Sequence, residues 1–171
     1  MVGGAALLNK IPIAPLTFPL SETVTAFINF LFSVPVLVVV ALIGHAPINW
    51  TIVFIVPLLG SLLLMAYAIA LMLSIAFVYV RDLRHVLNVV MQIWFYVTPI
   101  IYNVSMVPEN MRKVLLLNPA TDVFSGLHAV MMEGHHPQLA EVTRITSWTL
   151  GLLIAAILIY RHFSKSVAER L

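Results

Sequence analysis

Charge is rare in this sequence and is gathered where it can act. In the stretch FVYVRDLRHVLNVV, Phe77 to Val90, the residues Arg81, Asp82, Arg84 and His85 stand together. No Asp, Glu, Lys or Arg lies between Glu22 and Arg81, and none lies between Arg84 and Glu109. Arg81 and Arg84 share a face wherever a helix continues through them. Such a cluster does one of two jobs: it anchors the chain at a membrane surface, or it contacts a partner. A second group is aromatic, Trp94, Phe95, Tyr96 and Tyr102. These rings suit an interfacial belt and also a wall on which sugar rings can stack. A third group, His135 and His136 beside Pro137, reads as loop rather than metal site, because adjacent residues on a regular element point in different directions.

Other chemistry is missing from the residues. No G-x-x-x-x-G-K-[ST] occurs, so the chain does not hold ATP by a phosphate-binding loop. Neither G-x-S-x-G nor H-E-x-x-H is present, and the chain has no Cys. Ionisable groups at bilayer depth are the usual sign of proton or ion coupling, and the apolar runs carry essentially none. Asn29 is a lone polar residue in the first run, read as a bond between helices. Energy for any transport must therefore come from elsewhere.

The elements that carry these residues follow from composition. The chain has 171 residues, 61% hydrophobic and 9% charged, with a mean hydropathy of +1.04. A soluble domain carries about 25% charged residues, so the solvent is a bilayer. The net charge of +2 is too small to argue for nucleic acid. Crossing about 30 Å of hydrocarbon takes roughly 20 apolar residues as a helix, and the apolar runs here are continuous rather than alternating. The expectation is an all-α membrane protein with four transmembrane helices at 21–44, 50–80, 86–102 and 146–160. Pro35 predicts a bend in the first. Ala66, Ala70 and Ser74 in the second form a stripe of small residues that invites close helix packing. Between the last two spans, 106–133 contains apolar stretches too short to cross, stopped by Asn118-Pro119, which read as short re-entrant or interfacial helices.

Four crossings put both chain ends on one side. That side collects Lys10, Arg81, Arg84, Arg161, Lys165 and Arg170, against Arg112, Lys113 and Arg144 on the other. The excess of basic residues marks the first side as cytoplasmic. Arg144 and Arg161, at the ends of the last span, can snorkel to the interfaces.

The stretch VRDLRHVLNVVMQIWFYVTPIIYNVSMVPENMRKVLLLNPATDVFSGLHAVMMEG resembles the C-terminal half of type-2 ABC exporter permeases, in particular those that export polysaccharides such as O-antigen or teichoic acid. The resemblance is carried by Arg81-Asp82, by TPIIY from Thr98 to Tyr102, by VPE from Val107 to Glu109 and by LNPAT from Leu117 to Thr121. The upstream LLNKIPIAPLTFPLS, Leu7 to Ser21, is similar to that family's cytoplasmic segment before its third span. The likeness implies a chain shortened at its N-terminus, lacking the family's amphipathic helix and first two spans.

By position, the resemblance implies a cytoplasmic coupling segment over 1–18, with Leu8, Lys10 and Pro12 joined by Arg81, Asp82 and Arg84 in contacting an ATPase subunit. It implies that Trp94, Phe95, Tyr96 and Tyr102 border the substrate passage. It implies an outer gate containing Pro99, Pro108, Asn118 and Pro119. The chain itself would bind no cofactor; ATP and magnesium would sit on a cytoplasmic P-loop ATPase partner. A second copy of the permease, membrane lipid and a glycan complete the implied partners, in the bacterial inner membrane. Three alternatives stay open: a permease of the same type for a drug or lipid, a nonfunctional remnant, and a membrane-embedded enzyme or assembly factor, for which no converging catalytic groups are visible.

Overall fold

The computed structural model describes residues 17–44, 49–80 and 83–168. Among them every regular element is a helix, with no strand. Helix α1 spans Thr17–Ile43, and a 3-10 turn at Trp50–Phe54 leads directly into α2, Ile55–Tyr79. Helix α3 spans Leu83–Val97. Two short helices follow, α4 at Glu109–Leu115 and α5 at Thr121–His128, the latter running on into a π-helical turn at Ala129–Glu133. Helix α6, Leu139–Ala168, closes the described chain. Three helical stretches are long and apolar enough to cross a membrane: Leu20–Ile43, Trp50–Phe77 and Leu139–Phe163. The molecule is an all-α membrane protein.

The core is the seam between α2 and α6. Along α2 the buried side chains are Leu58, Met65, Ala68, Leu71 and Ile75; along α6 they are Ile145, Thr149 and Ala156. Both helices thus bury residues at intervals of three, four or seven. That periodicity holds one stripe against a neighbouring helix over several turns. The alanines Ala68 and Ala156 lie in one cluster with Leu71 and are almost fully buried, at 0% and 1% exposure, so the helices approach closely there. Lipid tails are as apolar as leucine, so this seam is held by packing rather than by expulsion of water. The expected small-residue stripe is not the packed one: Ala66 is exposed, because the seam runs along Met65, Ala68 and Leu71 instead.

The seam also fixes direction. Leu58, early in α2, shares a cluster with Ile145, early in α6, while Tyr79 and Phe163 at the far ends stack edge to face with centroids 5.7 Å apart. The two helices therefore run parallel. The residues next to Arg81 and the tail after Phe163 lie at one end of the pair. The short helices lie at the other, where α5 packs on Leu58 through Gly126: a Cβ added to Gly126 would stand 3.2 Å from a Leu58 methyl.

Helix α1 runs through Pro35, the position of the expected bend. One expectation needs adjusting. The span expected over 86–102 contains a helix of only 15 residues, about 22 Å long at 1.5 Å per residue, against about 30 Å of hydrocarbon. Pro99 is the reason. A residue before proline is pushed out of the α region, so α3 stops at Val97 and the chain turns, with the N–H of Ile100 donating to the carbonyl of Thr98 at 2.7 Å.

The seam yields a paired prediction. Ala68→Leu overpacks it and lowers stability by about 1–3 kcal/mol, whereas Ala66→Leu, on the exposed face, leaves it unchanged. Thermal unfolding of the purified protein in mild detergent separates the two.

Candidate functional site

The short helices and the end of α3 gather the polar groups of this end of the molecule, and the chain's local chemistry explains how. Asn118 and Pro119 open a turn in which the Thr121 N–H donates to the Asn118 carbonyl at 3.1 Å. Asn at the first position and Pro at the second are what such a turn favours. The Asn118 Oδ1 accepts from the Ala120 N–H at 3.1 Å, which locks the turn from the side. The Thr121 hydroxyl, fully buried, donates to the Leu115 carbonyl at 2.6 Å and ties the start of α5 to the end of α4. Gly134, with φ of 67°, ends the π-helical turn in the left-handed conformation that glycine adopts without penalty.

Two polar interactions stand out among those that tie this hairpin to its surroundings. The first is ionic. Arg144 of α6 donates from Nε to Asp122 Oδ2 at 2.9 Å and from a terminal nitrogen to Oδ1 at 2.8 Å. The Asp122 side chain is only 2% exposed and that of Arg144 40%. The pairing is bidentate, the strongest geometry open to these groups, and Asp122 in the first turn of α5 also faces that helix's positive end. The second is neutral. The indole N–H of Trp94 donates to Asn118 Oδ1 at 2.9 Å, the Asn118 amide donates to Thr98 Oγ1 at 2.8 Å, and the Thr98 hydroxyl donates to the Trp94 carbonyl at 2.8 Å. Beside it lies an open apolar hollow of about 270 Å³ lined by Val90, Ile93, Trp94, Val97, Asn118 and Pro119.

The four aromatic residues do not form one wall. Trp94 borders the hollow. Phe95 and Tyr96 are exposed and stack edge to face on each other, centroids 5.5 Å apart. The Tyr102 hydroxyl donates to the carbonyls of Val97, at 3.1 Å, and Tyr96, at 3.3 Å, satisfying acceptors that the end of α3 leaves open. Of the four gate residues, Asn118 and Pro119 form the turn, Pro99 is fully buried, and Pro108 is exposed as the cap of α4. Arg84 is exposed in the first turn of α3. Leu8, Lys10, Pro12, Arg81 and Asp82 lie outside the described residues.

Sequence reasoning missed Asp122 and the partner it gives Arg144, which was read as an interfacial anchor. The available signal was an acid directly after LNPAT in a chain that otherwise spares its charges. The pair predicts an asymmetry. Arg144→Met leaves a buried carboxylate unpaired and costs roughly 3 kcal/mol or more. Asp122→Asn keeps an acceptor for an arginine that still reaches a polar surface, and costs less. Unfolding temperatures of the two variants in detergent check the order.

The family model described as ABC-2 type transporter matches residues 11–132, a stretch that contains α1 to α5. The chain is 27% identical to an O-antigen export system permease protein RfbA of Myxococcus xanthus, over 98% of this chain and 68% of the relative. It is 25% and 23% identical to two O-antigen export system permease proteins RfbA of Klebsiella pneumoniae, each over 94% of this chain and 64% of the relative. The chain spans about two thirds of the length of the relatives it matches. With most of its length matched by that model, this chain belongs to the ABC-2 type transporter family.

Proposed function

We propose that this chain is the transmembrane subunit of an ATP-driven exporter that moves a polysaccharide or glycolipid across the cytoplasmic membrane. The observation that carries the reading is the likeness to three O-antigen export permeases over 94–98% of the chain. The architecture supports it. Parallel α2 and α6 set the end that holds Tyr79 and Phe163 apart from the end that holds the α4–α5 hairpin.

In this reading the Tyr79 end faces the cytoplasm, because Arg84 and Arg161 belong to it. The fourth crossing is completed by α3 together with the irregular segment after Pro99. Non-helical backbone is tolerated at membrane depth where protein satisfies its polar groups, as Tyr102 does here for the carbonyl of Val97 and Asn118 for the N–H of Ala120. Leu8, Lys10, Pro12, Arg81, Asp82 and Arg84 contact a P-loop ATPase that carries ATP and magnesium, while this chain binds neither. A second permease copy completes the passage. ATP drives the cycle by binding one arrangement of the ATPase pair better than the other, and the closure is passed to the helices through the cytoplasmic contacts. Trp94, Phe95, Tyr96 and Tyr102 border the route of the glycan, and the hairpin around Pro99, Pro108, Asn118 and Pro119 closes its outer end.

Purification of the tagged chain in mild detergent tests the partnership. A P-loop ATPase is expected to co-purify, and Arg84→Glu, which reverses charge at the cytoplasmic contact, is expected to lower its recovery roughly tenfold. Recovery of the permease with no such ATPase contradicts the reading.

A further inference from the structure

Asn118 holds an unusual position in the hydrogen-bond pattern. Its Oδ1 accepts from the Trp94 indole and from the Ala120 backbone, and its amide donates to Thr98, so one side chain joins the last turn of α3 to the turn between α4 and α5. The other such link is the His128 ring of α5, 3.2 Å from the carbonyl of Ile100 beyond the end of α3. Helix α3 has no buried residue, and its packing on α2 is sparse. Four residues further on, Asp122 fixes the same hairpin to α6.

We propose that Asn118 is a positioning residue that fastens α3 to the hairpin. Together with the Asp122–Arg144 pair it makes the α4–α5 turn the joint through which α3 and the α2–α6 pair move as one body. Trp94 then acts through its N–H rather than through its ring face. The two ties differ in kind. The ionic one is bidentate and has a buried carboxylate, so it holds throughout. The Asn118 one is neutral, part-buried and bordered by the open hollow, so it is the tie that sets how far α3 follows the hairpin. In a water-poor setting a fully satisfied neutral network is rigid, because each member has few substitute partners. The purpose of this motion rests on the exporter reading; the joint itself does not.

The chain has no native Cys, so spin labels can be placed without background. With labels at Val86→Cys on α3 and Leu117→Cys on the hairpin, both exposed positions, the full chain in lipid nanodiscs is expected to give one narrow distance distribution. Trp94→Phe keeps an aromatic ring but loses the N–H, and Asn118→Ala loses both sides of the network. Each is expected to broaden that distribution, and the double variant is expected to broaden it no further. A control pair at Phe77→Cys and Phe163→Cys, across the α2–α6 seam, is expected to stay unchanged in all of them, which a general loss of stability would not allow. Thr98→Val removes the acceptor of the Asn118 amide and the bond to the Trp94 carbonyl but keeps the Trp94–Asn118 bond, and serves where Asn118→Ala does not fold; Thr98→Ser restores the narrow distribution. In the complex with its ATPase, glycan export is expected to fall about fivefold for Trp94→Phe, the effect of one hydrogen bond, by more for Asn118→Ala, and no further for the double than for Asn118→Ala. A broad distribution in the unsubstituted chain, or a narrow one in both Trp94→Phe and Asn118→Ala, overturns the joint. Absence of glycan export by the unsubstituted complex overturns the exporter reading, while the label distances still decide the joint.

Discussion

Everything in this molecule hangs on the close parallel packing of α2 against α6. Helices in lipid gain nothing from hiding leucine from leucine, so they must fit. Here the fit is supplied by the almost fully buried Ala68 and Ala156, with Leu71, Met65 and Ile145 filling the rest of the seam. Because the helices run parallel, the chain between them must return the length of the pair. Helix α3 and the hairpin make that return. The parallel seam thus dictates both that a crossing must follow α2 and that the short helices end up beside Leu58, at the end opposite Tyr79.

The return path cannot be a plain helix, since Pro99 ends α3 short of a full crossing. The backbone that follows has polar groups to satisfy with little water at hand. The chain answers with side chains of its own. Tyr102 reaches back to the carbonyls of Tyr96 and Val97, Thr98 to that of Trp94, Thr121 to that of Leu115, and His128 lies 3.2 Å from the carbonyl of Ile100. These residues look functional in the sequence because they are polar or aromatic in an apolar chain. Much of their work is to make an irregular path possible inside a membrane. A hairpin built this way is held by single hydrogen bonds and one ion pair.

Much of this was legible in the sequence where a local rule decides. Continuous apolar runs fix helices, Pro99 and Asn118-Pro119 stop them, and the segment between α3 and α6 is too broken to span. What remained illegible depends on distant partners. The buried face of α2 could not be chosen among its many apolar residues: the seam with α6 runs along Met65, Ala68 and Leu71 rather than through Ala66. The bond from Trp94 to Asn118 and the pair of Asp122 with Arg144 link residues more than twenty positions apart, and no periodicity announces them. For the same reason the four aromatics, neighbours in sequence, are dispersed in space by helix geometry and by the turn at Pro99.

The arrangement of ends is the claim on which the rest stands, and side-specific labelling measures it. Single cysteines introduced at Arg84, Arg161, Lys113 and His135 of the otherwise cysteine-free chain can be probed with a membrane-impermeant maleimide from either face of the membrane. Arg84→Cys and Arg161→Cys are expected to react from the same face, and Lys113→Cys and His135→Cys from the opposite one. Reaction of the first two from opposite faces would contradict the parallel pair, and with it the placement of the hairpin at the end opposite Tyr79.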